Sequence, residues 1–199
     1  MILNAVEAQK TALSLLRAAR DSVYFWGYTL DRQDIVDALV DARKHQGCVV
    51  MVLVDKKKTF EGTTTLMMGQ VAKLRANGCI VRVARGVNLT AEYNKAGRGV
   101  GRGLNGACHA KAILSGTWLL SGSTNWTTSS RCNIERSTLV QLTPHEARMQ
   151  YRAAEEDGAA SEEFTEELRR TEEDRQQAGR AEYPRSRSEP APPRAGFGD

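Results

Sequence analysis

Apolar residues recur at helical spacing from the start of the chain. In MILNAVEAQKTALSLLRAAR, Val6, Leu13, Leu16 and Ala19 mark one face and predict a first helix. DSVYFWGYTL, residues 21–30, is dense in aromatic and β-branched residues and predicts a strand. In DRQDIVDALVDARKHQG a second helical face follows, carried by Ile35, Ala38, Leu39, Val40 and Ala42 and stopped by Gly47. CVVMVLVD, residues 48–55, is a nearly continuous apolar run, as a strand covered on both faces requires. Leu66, Met67, Gln70, Val71 and Leu74 predict a helix around residues 64–77, closed by Asn77-Gly78, and CIVRVARG, residues 79–86, a further strand. Alternation of helix and strand predicts an α/β fold with a mixed, largely parallel sheet flanked by helices, because parallel neighbours need helical crossovers.

Residues 86–108 break this rhythm. They are rich in glycine, and from Arg82 to Lys111 there are six basic residues (Arg82, Arg85, Lys95, Arg98, Arg102, Lys111) against Glu92 alone. A long cationic loop in a compact domain is read as functional, and Arg85, Lys95, Arg98 and Arg102 are its candidate substrate-binding residues. GRGVGRG lacks both the strand-to-helix setting and the GKS/T ending of a phosphate loop. Beyond the loop, HAKAILSG and TWLLSGS alternate as two short strands around a turn at Gly116-Thr117. From His145 onward aliphatic residues are scarce and Glu and Arg abundant, ending in PRSRSEPAPPRAGFGD. The expectation is a domain over residues 1–144 and a charged low-complexity tail over 145–199, disordered or helical, that buries too little apolar area to offset chain entropy.

Charge sharpens the picture. Residues 145–199 hold 9 basic and 14 acidic side chains, so the chain's net +4 leaves +9 on residues 1–144. That excess points to a polyanionic partner, nucleic acid or an anionic lipid surface. No run approaches the ~20 apolar residues of a transmembrane helix. Glu7, within the first amphipathic stretch, favours a domain helix over a mitochondrial presequence, although the compartment is otherwise not written in these residues. Cys48, Cys79, Cys108 and Cys132 are widely spaced, without a CxxC or a matching histidine pattern, and are expected to be reduced thiols rather than disulfides or zinc ligands.

The candidate chemistry lies in HAKAILSGTWLLSGSTNW, residues 109–126. His109 and Lys111 are two apart, so they share a strand face, and so do Ser123 and Asn125. Two adjacent strands would bring an imidazole, an ammonium, a hydroxyl and a carboxamide to one spot. A phosphodiester needs that set: a nucleophile or acid/base at phosphorus, a fixed positive charge on the nonbridging oxygens, and neutral donors that strengthen in the transition state. Lys111 and the amide donors would neutralise the phosphate without a metal. A lone histidine on an apolar strand is commonly a core residue, but a lysine beside it is almost never fully buried without a partner. His45, at a helix end, and His145, after Pro144, are given no role. Tyr24, Phe25, Trp26 and Tyr28 are expected mostly in the core, Trp126 beneath the site, and DKKKTF, residues 55–60, in a solvated loop, with the border of a nucleic-acid groove as the alternative because the run follows a strand end.

H-A-K, then G-S-T-N-W-T after a short apolar run, then N-I-E at 133–135, resembles the HxK…GSxxN signature of the phospholipase D superfamily, and the likeness extends over roughly residues 5–143. The one-motif members, bacterial nucleases and the mitochondrial cardiolipin hydrolase group, are the most similar. The resemblance implies a phosphodiesterase with no cofactor and no metal. His109 would form a phosphohistidine, Lys111 and Asn125 would hold phosphate oxygens, Ser123 would support the pocket, and Glu135 would orient a histidine. It also implies a homodimer, since such enzymes use two histidines and this chain carries one motif. The expected substrate is single-stranded nucleic acid; the alternatives are cardiolipin or another phospholipid, and a catalytically silent nucleic-acid binder. Two departures stand out. The aspartate that usually follows the lysine is replaced by Gly116, or by Ser115 in a shifted alignment, and Arg136 stands where relatives often carry a second asparagine. The first puts the hairpin turn and the level of activity in question.

Overall fold

The computed structural model describes residues 1–60, 66–86 and 106–182. Its elements in chain order are β1 (Ile2–Leu3), α1 (Ala5–Ala18), β2 (Ser22–Gly27), α2 (Gln33–Lys44), β3 (Val49–Asp55), α3 (Lys56–Phe60), α4 (Leu66–Ala76), β4 (Ile80–Ala84), β5 (Lys111–Ser115), β6 (Trp118–Gly122), a 3-10 turn (Ser129–Cys132), β7 (Ser137–Gln141), α5 (Pro144–Ala159), β8 (Glu162–Glu163) and α6 (Glu166–Glu182). The strands form one sheet in the order β1-β7-β6-β5-β2-β3-β4-β8.

The αβ repeat builds the parallel part, β2–β3–β4, while every other pairing is antiparallel. The sheet is therefore mixed rather than largely parallel, its parallel part confined to three of the eight strands, where helices supply the crossovers; the hairpin β5–β6 and its successor β7 need none. α1 starts at Asn4, whose side chain accepts from the Glu7 N–H while Glu7 reaches back to Asn4 in a capping box.

Tyr24, Trp26, Met51, Leu53 and Leu114 line one sheet face, closed by Ala154 and Tyr151 of α5. The alternate residues Val23, Phe25, Val50, Val52 and Ile113 are also buried and face the other way. There α1, α2 and α4 pack side by side. Both faces are thus dry, which accounts for the unbroken apolar run in β3.

The expected boundary at residue 144 does not match the packing. The compact unit runs from Met1 to Thr165, and α6 belongs to a second unit that begins at Glu166. α5 has a Thr143–Glu146 capping box with Pro144 in its first turn, and it buries Ala147, Ala154 and Gly158. Small residues let its backbone lie close to the sheet, so little aliphatic content is needed. Its acids meet the aromatic tips of β2: Trp26 donates to Asp157 at 3.0 Å and Tyr24 to Glu155 at 3.4 Å. With α5 and β8 included, two more basic and six more acidic side chains lower the net charge to +5 for residues 1–165.

DKKKTF is likewise not a solvated loop. It forms α3, with Lys56 buried against Glu162 at 2.8 Å and Thr59 and Phe60 in the core. Arg82 is structural, binding the Ser161 hydroxyl at 2.8 Å and the Ser161 carbonyl. All four cysteines are free thiols.

Candidate active site

The antiparallel register of β2 with β5 sets Lys111 opposite Gly27. Tyr28, the next residue after Gly27, therefore lies beside the approach to β5. The ring centroids of Tyr28 and His109 are 4.4 Å apart, and the Lys111 ammonium is 4.8 Å from the Tyr28 centroid. His109 itself precedes the strand and is exposed. Lys111 is 4% exposed, and its Nζ donates to the His109 carbonyl at 2.6 Å. The imidazole and the ammonium thus flank one aromatic ring, which is half-buried at the site rather than in the core that its strand pattern predicts.

Burial pushes the Lys111 pKa below the ordinary lysine range, partly opposed by attraction to Glu135 and to Cys108. Cys108, next to His109, is pushed up to about 11 by burial and by the Asp55 carboxylate. That thiol is neutral near pH 7 and is a poor nucleophile.

β6 ends at Gly122, where a side chain would collide with the Arg136 carbonyl and Ser137. Close approach of β6 and β7 continues through Ser123, whose N–H donates to the Arg136 carbonyl at 3.0 Å. It brings the Ser123 hydroxyl onto the Glu135 carboxylate, which also accepts from Asn133 at 3.2 Å. Glu135 therefore meets Ser123 and Asn133, and acts electrostatically on Lys111. Among the described residues it does not touch His109 of its own chain. Ile134, beside it, is 94% exposed.

Asn125 is half-buried, with its Oδ1 sealed from solvent and without a hydrogen-bond partner among the described residues. An unpaired buried acceptor costs about 1–3 kcal/mol and persists where the surroundings fix it. Here the fixing group is Gln9 of α1, 1% exposed, whose amide donates at 2.9 Å to the carbonyls of both Asn125 and Thr127. Trp126 between them donates to the Trp26 carbonyl at 2.7 Å and packs on Phe25, with ring centroids 5.4 Å apart. Gln9→Leu keeps the volume but strands two carbonyls. We expect a loss of about 2–4 kcal/mol, read as a fall in Tm of roughly 5–15 °C, with Asn125 displaced.

Two further residues, both in the DKKKTF run, have no individual role in the sequence reading. Asp55, buried at the end of β3, accepts from the backbone N–H of Cys108 at 2.9 Å and of Lys58 at 2.7 Å, so one carboxylate ties α3 to the segment entering His109. Lys58 extends its ammonium to 5.3 Å from the Tyr28 centroid. A carboxylate at a strand's end and a KKK run were the available signals. Lys95, Arg98 and Arg102 lie outside the described residues; Arg85 forms a backbone bridge with Ala107 just before the site.

The turn that lacks the usual aspartate is intact. Gly116 takes a left-handed φ of 56°, a conformation glycine adopts without penalty. Its carbonyl accepts from the Tyr151 hydroxyl at 3.0 Å, and the Thr117 carbonyl from the Leu142 N–H at 2.7 Å. Glycine and α5 brace the turn without an acid.

A family model described as "Cardiolipin synthase, PLD-like domain" matches residues 12–154. The chain belongs to the phospholipase D-like family. Among solved structures it is similar to Nuc, a phospholipase D family member from Salmonella typhimurium, at 18% identity and TM-score 0.64, covering 82% of this chain and 96% of that one. NucT from Helicobacter pylori gives 16% identity and TM-score 0.65, covering 82% and 98%. Phosphatidylserine synthase from Haemophilus influenzae gives 14% identity and TM-score 0.56, covering 76% and 35%. These likenesses are of fold. A search of curated protein sequences finds no match. Among the described residues no helix is long and apolar enough to cross a membrane.

Proposed function

We propose that the chain is a phospholipase D-type phosphodiesterase that cleaves single-stranded nucleic acid without a metal ion, through a phosphohistidine on His109. The observation that carries this reading is the pairing of an exposed imidazole with a buried ammonium around Tyr28. An unprotonated nitrogen of His109 attacks phosphorus, and the bond from phosphorus to the leaving oxygen breaks. That oxygen takes a proton from a second histidine, which in a one-motif chain is His109 of a second copy. Water then attacks phosphorus and gives a proton to the second histidine, and the P–N bond breaks to free the first. A homodimer follows from this proton count, and exposed Ile134 beside Glu135 is consistent with a shared face.

Lys111 supplies the fixed charge on the nonbridging oxygens. Asn125, with Oδ1 turned inward, has its amide nitrogen left as the polar end for the phosphate. Ser123 is held by Glu135, and Glu135 favours the charged form of Lys111 against the effect of burial. These assignments predict the alkaline limb of the pH profile. Activity needs the Lys111 ammonium, whose pKa burial lowers, so kcat/KM should fall at a pH below the ordinary lysine range. Glu135→Gln removes an attraction that raises this pKa and should move the limb further down. The sign for stability is opposite: an unfolded chain holds this proton more tightly, so the native state loses stability as pH falls through the folded pKa.

Purified protein in EDTA, offered labelled single-stranded DNA, RNA and cardiolipin vesicles, tests the reading. Cleavage of a nucleic acid is expected. Cleavage of cardiolipin alone would transfer the mechanism to a lipid, a reading favoured by the cardiolipin synthase description of the matching family. Retention of nucleic acid without cleavage would identify a silent binder, and cleavage only with added metal would contradict the mechanism.

A further inference from the structure

Beside the motif residues lies a cleft of about 300 Å³ lined by Thr29, Lys58, Asn125, Ser129 and Asn133, with Leu30 and Met67 as its apolar walls. It adjoins the candidate active site twice, because Asn125 belongs to both and Lys58 lies over the ring that touches His109. Lys58 is not a loosely placed surface cation. The Asp55 carboxylate that holds its backbone N–H also holds the Cys108 N–H, one residue before His109. The distance between the Lys58 backbone and the His109 approach is therefore fixed by one buried group. Lys56, two residues earlier, is paired with Glu162, whereas no carboxylate pairs with Lys58 among the described residues.

Asp31 also lines the cleft, but its carboxylate accepts from the Thr128 N–H at 2.8 Å and the Thr128 hydroxyl at 3.4 Å. Both bonds go to Oδ1 and leave the carboxylate its charge, so a ligand meets one cation, one carboxylate anchored by Thr128, several neutral hydroxyl and amide groups, and two apolar side chains. An acyl chain would leave those polar groups unpaired. A nucleoside, with an apolar base face and polar edges, fits both the volume and the chemistry.

We infer that this cleft is the subsite for the nucleotide adjoining the scissile phosphate, with the Lys58 ammonium holding that nucleotide's phosphate and the hydroxyl and amide set its sugar and base edges. The inference rests on the nuclease reading above and adds to it a second phosphate contact outside the motif. It requires a substrate with at least two consecutive phosphates, which a strand supplies.

The test uses the full chain carrying His109→Ala, so that bound strands persist, with a fluorescent single-stranded oligonucleotide followed by anisotropy across a salt series. Adding Lys58→Gln should weaken binding roughly ten-fold at low salt and reduce the slope of log K against log salt by about 0.7, the value for one phosphate contact on a single strand. Lys58→Arg should restore the slope, which separates lost charge from disturbed folding. Equal affinity and slope with and without Lys58→Gln would overturn the subsite while leaving the nuclease reading intact. An equal loss of affinity for cardiolipin vesicles would also overturn it, since Lys58 would then be a general surface cation. Failure of the His109→Ala protein to bind any oligonucleotide would reject the nuclease reading and the subsite together.

Discussion

His109→Ala should abolish turnover, lowering kcat by on the order of 10⁵ while leaving the fold intact. The size follows from the role: removal of a covalent nucleophile eliminates the two-step route and leaves only binding and charge stabilisation. Folding should tolerate the change, because His109 is exposed and its imidazole packs against the edge of the site on the half-buried Tyr28 ring. We expect stability to shift by less than about 1 kcal/mol. Single-turnover rates in EDTA together with a melting curve check both halves. A large fall in Tm with modest loss of rate would mean that the imidazole serves the structure.

Lys111→Met should be the second largest effect, a drop in kcat/KM of roughly 10²–10³, as for loss of one charge-stabilising group in a water-poor site. The substitution isolates the charge. Methionine retains most of the buried stem but removes the ammonium, so packing around β5 survives. Stability should hold or rise, since a buried ammonium is desolvated and methionine is not. Lys111→Ala would confuse the result by opening a cavity beneath Tyr28. If Lys111→Met unfolds the protein while residual folded material retains full activity, the ammonium is a structural strut.

Much of this was legible in the chain because local periodicity fixes it. The alternation of residues 111–122 gives the β5–β6 hairpin, but the two-residue spacing of His109 and Lys111 does not put them on one strand face: β5 begins at Lys111, and the exposed imidazole and the buried ammonium meet on the ring of Tyr28 instead. The apolar run in β3 and the helical faces of α1, α2 and α4 follow from repeats of two and 3.6 residues. What was hidden depends on long-range partners. Gln9 looks like any polar residue in an amphipathic helix, and only the fold sets it against carbonyls 116 and 118 residues away. Asp55 ends an apolar strand, and nothing local says that its carboxylate will tie α3 to the His109 approach. α5 was misread for a different reason: Ala147, Ala154 and Gly158 give no hydrophobic signal, yet small size is what lets the helix sit against Met51. The acids beside them looked like a solvated tail, although Asp157 and Glu155 receive the polar tips of Trp26 and Tyr24.

The charge argument changes with that correction. A unit of +5 attracts a polyanion less strongly than one of +9, so selectivity for nucleic acid rests more on placed cations such as Lys58 and Lys111 than on the overall field.

Trapping the covalent intermediate tests the central claim most directly. Substrate labelled at the scissile phosphate is mixed with enzyme, quenched in alkali during turnover and digested with trypsin. The account predicts label on the peptide Gly103–Lys111, stable to base and lost in acid as a phosphoramidate bond is, absent with His109→Ala and unchanged with Cys108→Ala. Rapid cleavage with no label on that peptide, or label that survives in His109→Ala, would contradict it.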